Sequence, residues 1–198
     1  MLDRSSEAAP PKPTRLAEYT PPAFLIDTVE LDFELGEDAT TVKARYALRR
    51  NPKVTARAQM LELDGEALEL VSIAIDGEPL GANRYRAYDS GLVVTDVPDS
   101  FKLDIETRIK PQLNTELSGL YKSGGNFCTQ CEAEGFRRIA YFLDRPDVMA
   151  RYTVRVAADK ARYPVLLSNG NPVARGDLPD GRQDRKSTRL NSSHSQQS

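Results

Sequence analysis

The chain has 198 residues, of which 39% are hydrophobic and 28% charged, a size and balance that suit one globular domain and barely allow two. Its 27 basic and 29 acidic side chains leave a formal net charge of −2, which gives no electrostatic reason to expect nucleic acid or an anionic membrane as partner. No stretch approaches the roughly 18 to 20 uninterrupted apolar residues of a membrane helix, and the N-terminus lacks the apolar segment of a signal peptide, so the default expectation is the cytoplasm.

Residues 1 to 22 are rich in proline and alanine, with Pro10, Pro11, Pro13, Pro21 and Pro22 restricting the backbone to extended forms. They read as a flexible arm. From Phe24 onward the hydrophobic period is two. Val29, Leu31, Phe33 and Leu35 alternate with Glu30, Asp32 and Glu34, which describes a strand with one buried and one wet face. Gly36, Glu37 and Asp38 supply a turn, after which Val42, Ala44, Tyr46 and Leu48 alternate with Lys43, Arg45 and Arg49. The two wet faces carry opposite charge. Cross-strand ion pairs of about 0.2–1 kcal/mol each then favour an antiparallel hairpin.

Further strands are predicted over residues 60–63, 68–75, 91–97, 101–109, 148–158 and 163–168, with turns at 76–79 and 169–172. Only residues 133–143 could hold a helical turn or two. Short strands at regular spacing, with no long helical pattern, argue for an all-β antiparallel sheet or sandwich. The last fifteen residues break this character, with one hydrophobic residue and a run of Ser, Asn and Gln that cannot bury a core. The string from Asp184 to His194 looks like the translation of a common sequencing adapter; a natural disordered tail or a cloning scar is the alternative. The domain reading is therefore an arm at 1–22, one β domain at 23–183 and a foreign or disordered tail at 184–198. The one histidine, His194, lies in that tail.

Two motifs carry possible chemistry. Cys128 and Cys131, the only cysteines, form a CxxC, which could be half of a zinc site or a redox pair. No second cysteine pair or histidine ahead of the tail completes a metal site, and the surroundings read as strand, so two reduced, partly buried thiols remain the plain alternative. Next, Glu132 and Glu134 are two apart, which on an extended backbone puts both carboxylates on one side. A cation must then lie between them. Arg137 or Arg138 could be that cation, which would make the cluster structural; a bound ammonium group would make it functional.

Here the residues resemble a known family. Gln130-Cys131-Glu132-Ala133 with Arg137, followed by Asp144-Arg145-Pro146, is similar to the Q-x-E-A…R…D-E/R-P motif of the aminopeptidase N family of zinc peptidases. Further blocks at 61–72, 114–121 and 163–171 are similar to the same family in the same order. The resemblance covers about residues 14 to 182. It implies a saddle-shaped antiparallel N-terminal β domain that packs over a catalytic domain carrying HExxH, a further glutamate ligand, a GAMEN loop and a tyrosine. None of those motifs occurs here, so the resemblance implies no catalytic residue in this chain, an inactive piece, and zinc ligands in the missing catalytic domain. It also implies that Glu132 binds the free α-ammonium of peptide substrates and that Gln130 lines the pocket for the first side chain. A stand-alone β-sandwich that holds peptide N-termini without cleaving them is the competing reading, and a thiol redox protein a third. A reading frame continuing to HExxH favours the enzyme, a natural stop codon the module, and a reactive low-pKa cysteine the redox protein.

Overall fold

A computed structural model describes residues 15–55 and 58–190, with no side-chain description of Leu190. Thirteen strands account for the fold: β1 Phe24–Glu34, β2 Thr40–Arg50, β3 Met60–Asp64, β4 Glu69–Ile75, β5 Glu78–Pro79, β6 Tyr85–Tyr88, β7 Gly91–Thr95, β8 Ser100–Ile109, β9 Gly119–Ser123, β10 Asn126–Gln130, β11 Arg151–Asp159, β12 Asn171–Asp177 and β13 Arg182–Leu190. They form an eight-stranded sheet in the order β12-β13-β11-β1-β2-β8-β4-β5, a three-stranded sheet β3-β7-β6 and a two-stranded hairpin β9-β10. The described residues are thus all-β apart from three short 3₁₀ turns.

The alternation in the first two strands sets this arrangement. Glu30 faces Arg45 and Asp32 faces Lys43 across the antiparallel β1–β2 pair, as the opposite charges require. On the other face Val29, Val42 and Tyr46 are fully buried, as is Leu103 of β8. Each large side chain buried in this way contributes about 1.5–3 kcal/mol. The three-stranded sheet covers that face with Leu61, Leu63, Leu92 and Val94, none more than 3% exposed.

Four features differ from the sequence expectation. First, β1 and β11 run parallel, from Thr28 opposite Arg151 to Glu34 opposite Ala157. The chain leaves β1 and returns more than a hundred residues later, and only such a long crossover allows parallel neighbours. Second, residues 163–168 form no strand. β12 instead begins at Asn171, where a turn was expected, and Pro172 sits opposite Ser187 on this edge strand, next to a register shift, a place where proline is tolerated. Third, residues 184–190 continue β13 between β11 and β12, because ladder bonds come from the backbone whatever the side chains. Residues 191–198, including His194, lie outside the described residues. Fourth, the end of the N-terminal arm is tied down: Tyr19 donates to Asp147 at 2.8 Å and Arg145 to the Thr20 carbonyl at 2.8 Å. Residues 1–14 of the arm are outside the described residues.

Candidate functional site

The motif from Gln130 to Arg138 starts at the end of β10 and turns sharply back. Gln130 pairs with Gly119 as the last rung of the β9–β10 ladder. The Gly135 amide then donates to the Cys131 carbonyl at 2.8 Å, and a 3₁₀ turn follows at Phe136–Arg138. Gly135 is required by this fold-back, since a Cβ there would stand 2.5 Å from the Gln130 carbonyl oxygen. The Glu132–Ala133 peptide bond is cis.

The segment leaving the turn is riveted to the core. Tyr46 donates its hydroxyl to the Tyr141 carbonyl at 2.8 Å, and Thr107 donates to the Ile139 carbonyl at 3.3 Å, both buried. Asp64 and Phe142 exchange two backbone bonds of 2.8 and 3.0 Å. Phe142 packs against Phe136, Tyr46 and Tyr152 with ring centroids 4.8, 5.7 and 6.4 Å away. Aromatic pairs in this range each add about 0.5–1.5 kcal/mol to burial.

The charges sort themselves in a way that the spacing did not indicate. Because the backbone turns rather than extends after Cys131, Glu132 and Glu134 do not share a strand face. Arg137 reaches Glu134 at 3.4 Å and binds Asp144 through its backbone amide at 3.1 Å and its Nε at 3.0 Å. Burial works against the Arg137 guanidinium, yet its bond to Asp144 and the nearby Asp64 and Glu134 raise its pKa overall. Arg138 instead pairs with Glu66 at 2.8 Å. Arg137 also donates through Nη2 to the Asp144 carbonyl at 3.2 Å, while the Asp144 amide donates to Asp64 at 3.1 Å. Glu132 is different. Its side chain is exposed and has no hydrogen-bond or ion-pair partner among the described residues; its backbone carbonyl accepts from the Gln130 side-chain Nε2 at 3.5 Å. Arg137 thus pairs with Glu134 and Arg138 with Glu66, and among the described residues neither reaches Glu132.

Gln130 is exposed and lies on the hairpin face of Cys128. Both cysteines are free and half-buried. Burial, with Asp144 nearby, pushes the Cys131 thiol up to about 11, the opposite of what a nucleophilic or redox-active cysteine needs. No group of three or more His, Cys, Asp or Glu side chains among the described residues could hold a metal ion.

The hairpin that presents this motif was missed in the sequence. Its signal is present: Gly124-Gly125 stands between two short runs of apolar and β-prone residues, and both glycines adopt positive φ, 56° and 84°, as a tight primed turn demands.

Residues 27–192 match the profile of a family described as the Peptidase M1 N-terminal domain. The chain is 51% identical over 172 residues to Aminopeptidase N of Caulobacter vibrioides, covering 87% of this chain and 20% of that protein. It is 47% identical over 166 residues to Aminopeptidase N of Escherichia coli, covering 83% and 18%. Among solved structures, an aminopeptidase A of Legionella pneumophila in complex with aspartic acid superposes with a TM-score of 0.83 at 31% identity, over 88% of this chain and 21% of that one. An M1 zinc metallopeptidase of Deinococcus radiodurans shares the fold, with a TM-score of 0.69 at 16% identity over 84% and 39%. The chain thus spans about one fifth of the length of the curated relatives it matches. With an all-β fold, the turned motif after β10 and a profile match over most of its length, the chain belongs to the Peptidase M1 N-terminal domain family.

Proposed function

We propose that this domain is the substrate-facing N-terminal part of a zinc-dependent aminopeptidase, and that Glu132 binds the α-ammonium group of a peptide whose first side chain rests against Gln130. The observation that carries this reading is the exposed carboxylate of Glu132, unpaired among the described residues, in a loop whose other charges are matched. The relatives named aminopeptidases, and a neighbouring structure holding a free amino acid, support the same reading.

The chemistry follows from charge. An exopeptidase must tell a terminal –NH₃⁺ from an internal amide. A carboxylate desolvated by bound substrate pairs with the ammonium, whereas an internal peptide bond would leave it buried and unmatched at a cost of several kcal/mol. The described residues offer no ligand set for a zinc site, so the ion that activates water in such hydrolysis would be held by ligands outside them. No step of bond cleavage is assigned to this domain. Its role is to orient the substrate, and its partners are peptides and the catalytic part of its own protein. No helix of the described residues is long and apolar enough to cross a membrane, and the cytoplasm is the proposed location.

The domain limits belong to the same proposal, with residues 184–198 foreign to the family sequence. Next to Tyr152, Val154 and Val156, which pack on the core, β13 places Arg189, Ser187 and Arg185. The Arg185 Nε is buried there without a hydrogen-bond partner. A sequence selected for this place would carry apolar residues in that register. The family match reaching residue 192, the 2.7 Å bond from Arg155 to Asp184 and the 3.0 Å bonds from Ser187 to Ser168 and Asn169 favour a natural origin. Resequencing the gene across the codon for Gln183 decides between them.

The test of the site is Glu132→Gln in the full-length enzyme. Removing one partner of a desolvated charge pair costs about 2–5 kcal/mol, equal to a fall in kcat/KM of about 30-fold or more for dipeptide amides. Unchanged kinetics would refute the assignment.

A further inference from the structure

Lys122 stands where three segments distant in sequence meet. Its ammonium lies 4.8 Å from the centroid of the Phe127 ring and 5.6 Å from that of Tyr163. The same Nζ is 3.0 Å from Glu37 in the turn between β1 and β2. Tyr163 donates its hydroxyl to the other oxygen of Glu37 at 2.6 Å, and the Phe127 and Tyr163 rings touch with centroids 5.1 Å apart. A cation thus stands between two rings, and a carboxylate bridges cation and phenol. Only 17% of the Lys122 side chain is exposed, and partial desolvation strengthens cation–π contacts.

The position of this cluster gives it meaning. The β9–β10 hairpin is hydrogen-bonded to neither of the other sheets, so no ladder fixes its orientation. Its base is held near Gly119, where Asn114 donates to the Ser118 and Leu120 carbonyls at 2.8 and 2.9 Å. Further out, Lys122 lies opposite Phe127, and Tyr121 opposite Cys128. Phe127 and Thr129 therefore point to one side of the hairpin, Cys128 and Gln130 to the other. The clamp grips one side and leaves the Gln130 side clear.

We propose that Lys122 is a positioning residue for the amine-binding loop: held by Glu37, Phe127 and Tyr163, it sets the tilt of the β9–β10 hairpin and so the placement of Gln130 and Glu132 against substrate. The inference rests on the reading of Glu132 given above. It also separates orientation from stability, because Arg162 reaches Glu37 at 3.0 Å and keeps that carboxylate paired when the lysine is removed.

The test is a cycle of variants in the full-length enzyme. Lys122→Met keeps the stem between the rings and deletes the charge. It is expected to raise KM for short peptides about five-fold with kcat within two-fold, in the range of coupling between contacting residues. Lys122→Arg, which retains charge and ring stacking, restores KM. In an enzyme already carrying Glu132→Gln, the same Lys122→Met change is expected to add no further loss. An unaltered KM in Lys122→Met, where Glu132→Gln alone raises it, overturns the clamp and leaves the amine site standing. An equal loss in both backgrounds shows general damage and overturns it too. Where Glu132→Gln is itself silent, the amine site falls and the positioning role with it. Tyr163→Phe, which keeps the ring and loses only the bond to Glu37, gives a smaller rise in KM in the same direction; a larger rise than that of Lys122→Met contradicts a lysine-centred device.

Discussion

Tyr46→Phe isolates one bond on which the placement of the site depends. Tyr46 is 0% exposed, and its hydroxyl donates at 2.8 Å to the Tyr141 carbonyl, five residues beyond Phe136 in the segment that leaves the motif turn. Burial pushes the phenol's pKa far above its ordinary value, so the donor keeps its proton across the whole working pH range. Phenylalanine fills the same volume and leaves the ring contact with Phe142 in place, so no cavity enters the calculation. What is lost is the bond, and what remains is a buried carbonyl without that donor, at a cost of about 1–3 kcal/mol. For a chain of this size that lowers the thermal midpoint by about 2–4 °C per kcal/mol. Urea unfolding followed by tyrosine fluorescence measures it, with an unchanged m-value showing that only stability moved. A free-energy change within about 0.3 kcal/mol of zero, well below the cost of an unmade buried bond, would refute the reasoning.

Acid should loosen the Lys122 cluster in a defined window. The Tyr163 hydroxyl, then Lys122, holds the Glu37 carboxyl down at about 2 from an ordinary 4.5. A depressed folded-state pKa contributes stability above the unfolded value and loses it as pH falls through the folded one. The stability difference between the native chain and Glu37→Gln should therefore shrink from pH 4.5 towards 2; an equal difference at pH 6 and pH 2.5 contradicts the cluster. For the thiols, burial raises the Cys131 pKa to about 11, so iodoacetamide at pH 7 should label it far more slowly than a free thiol, as read by mass spectrometry. Rapid labelling of Cys131 would reopen the redox reading.

The first hairpin was legible in the residues because its pattern is local. Alternation in 29–35 and 42–48, with opposite charges on the wet faces, admits one register, and Glu30 opposite Arg45 is that register. Turn chemistry marked most other strands. It failed at 163–168, where Gln183, Arg185 and Ser187 of β13 take carbonyls of the loop at Tyr163, Leu166 and Asn169 with their side chains, and the strand forms later instead. Gly124-Gly125 announced a hairpin that was overlooked.

By itself, the order of residues determined the all-β class, the two-residue period of the buried faces and the motif from Gln130 to Arg145, since each is written in neighbours a few positions apart. Only the tertiary structure decided that β11 returns parallel to β1, that Arg137 is consumed by Glu134 and Asp144 while Glu132 stays unmatched among the described residues, and that Glu37, Lys122 and Tyr163 meet. Charges at short range choose partners by distance in space, and a sequence lists every candidate without ranking them.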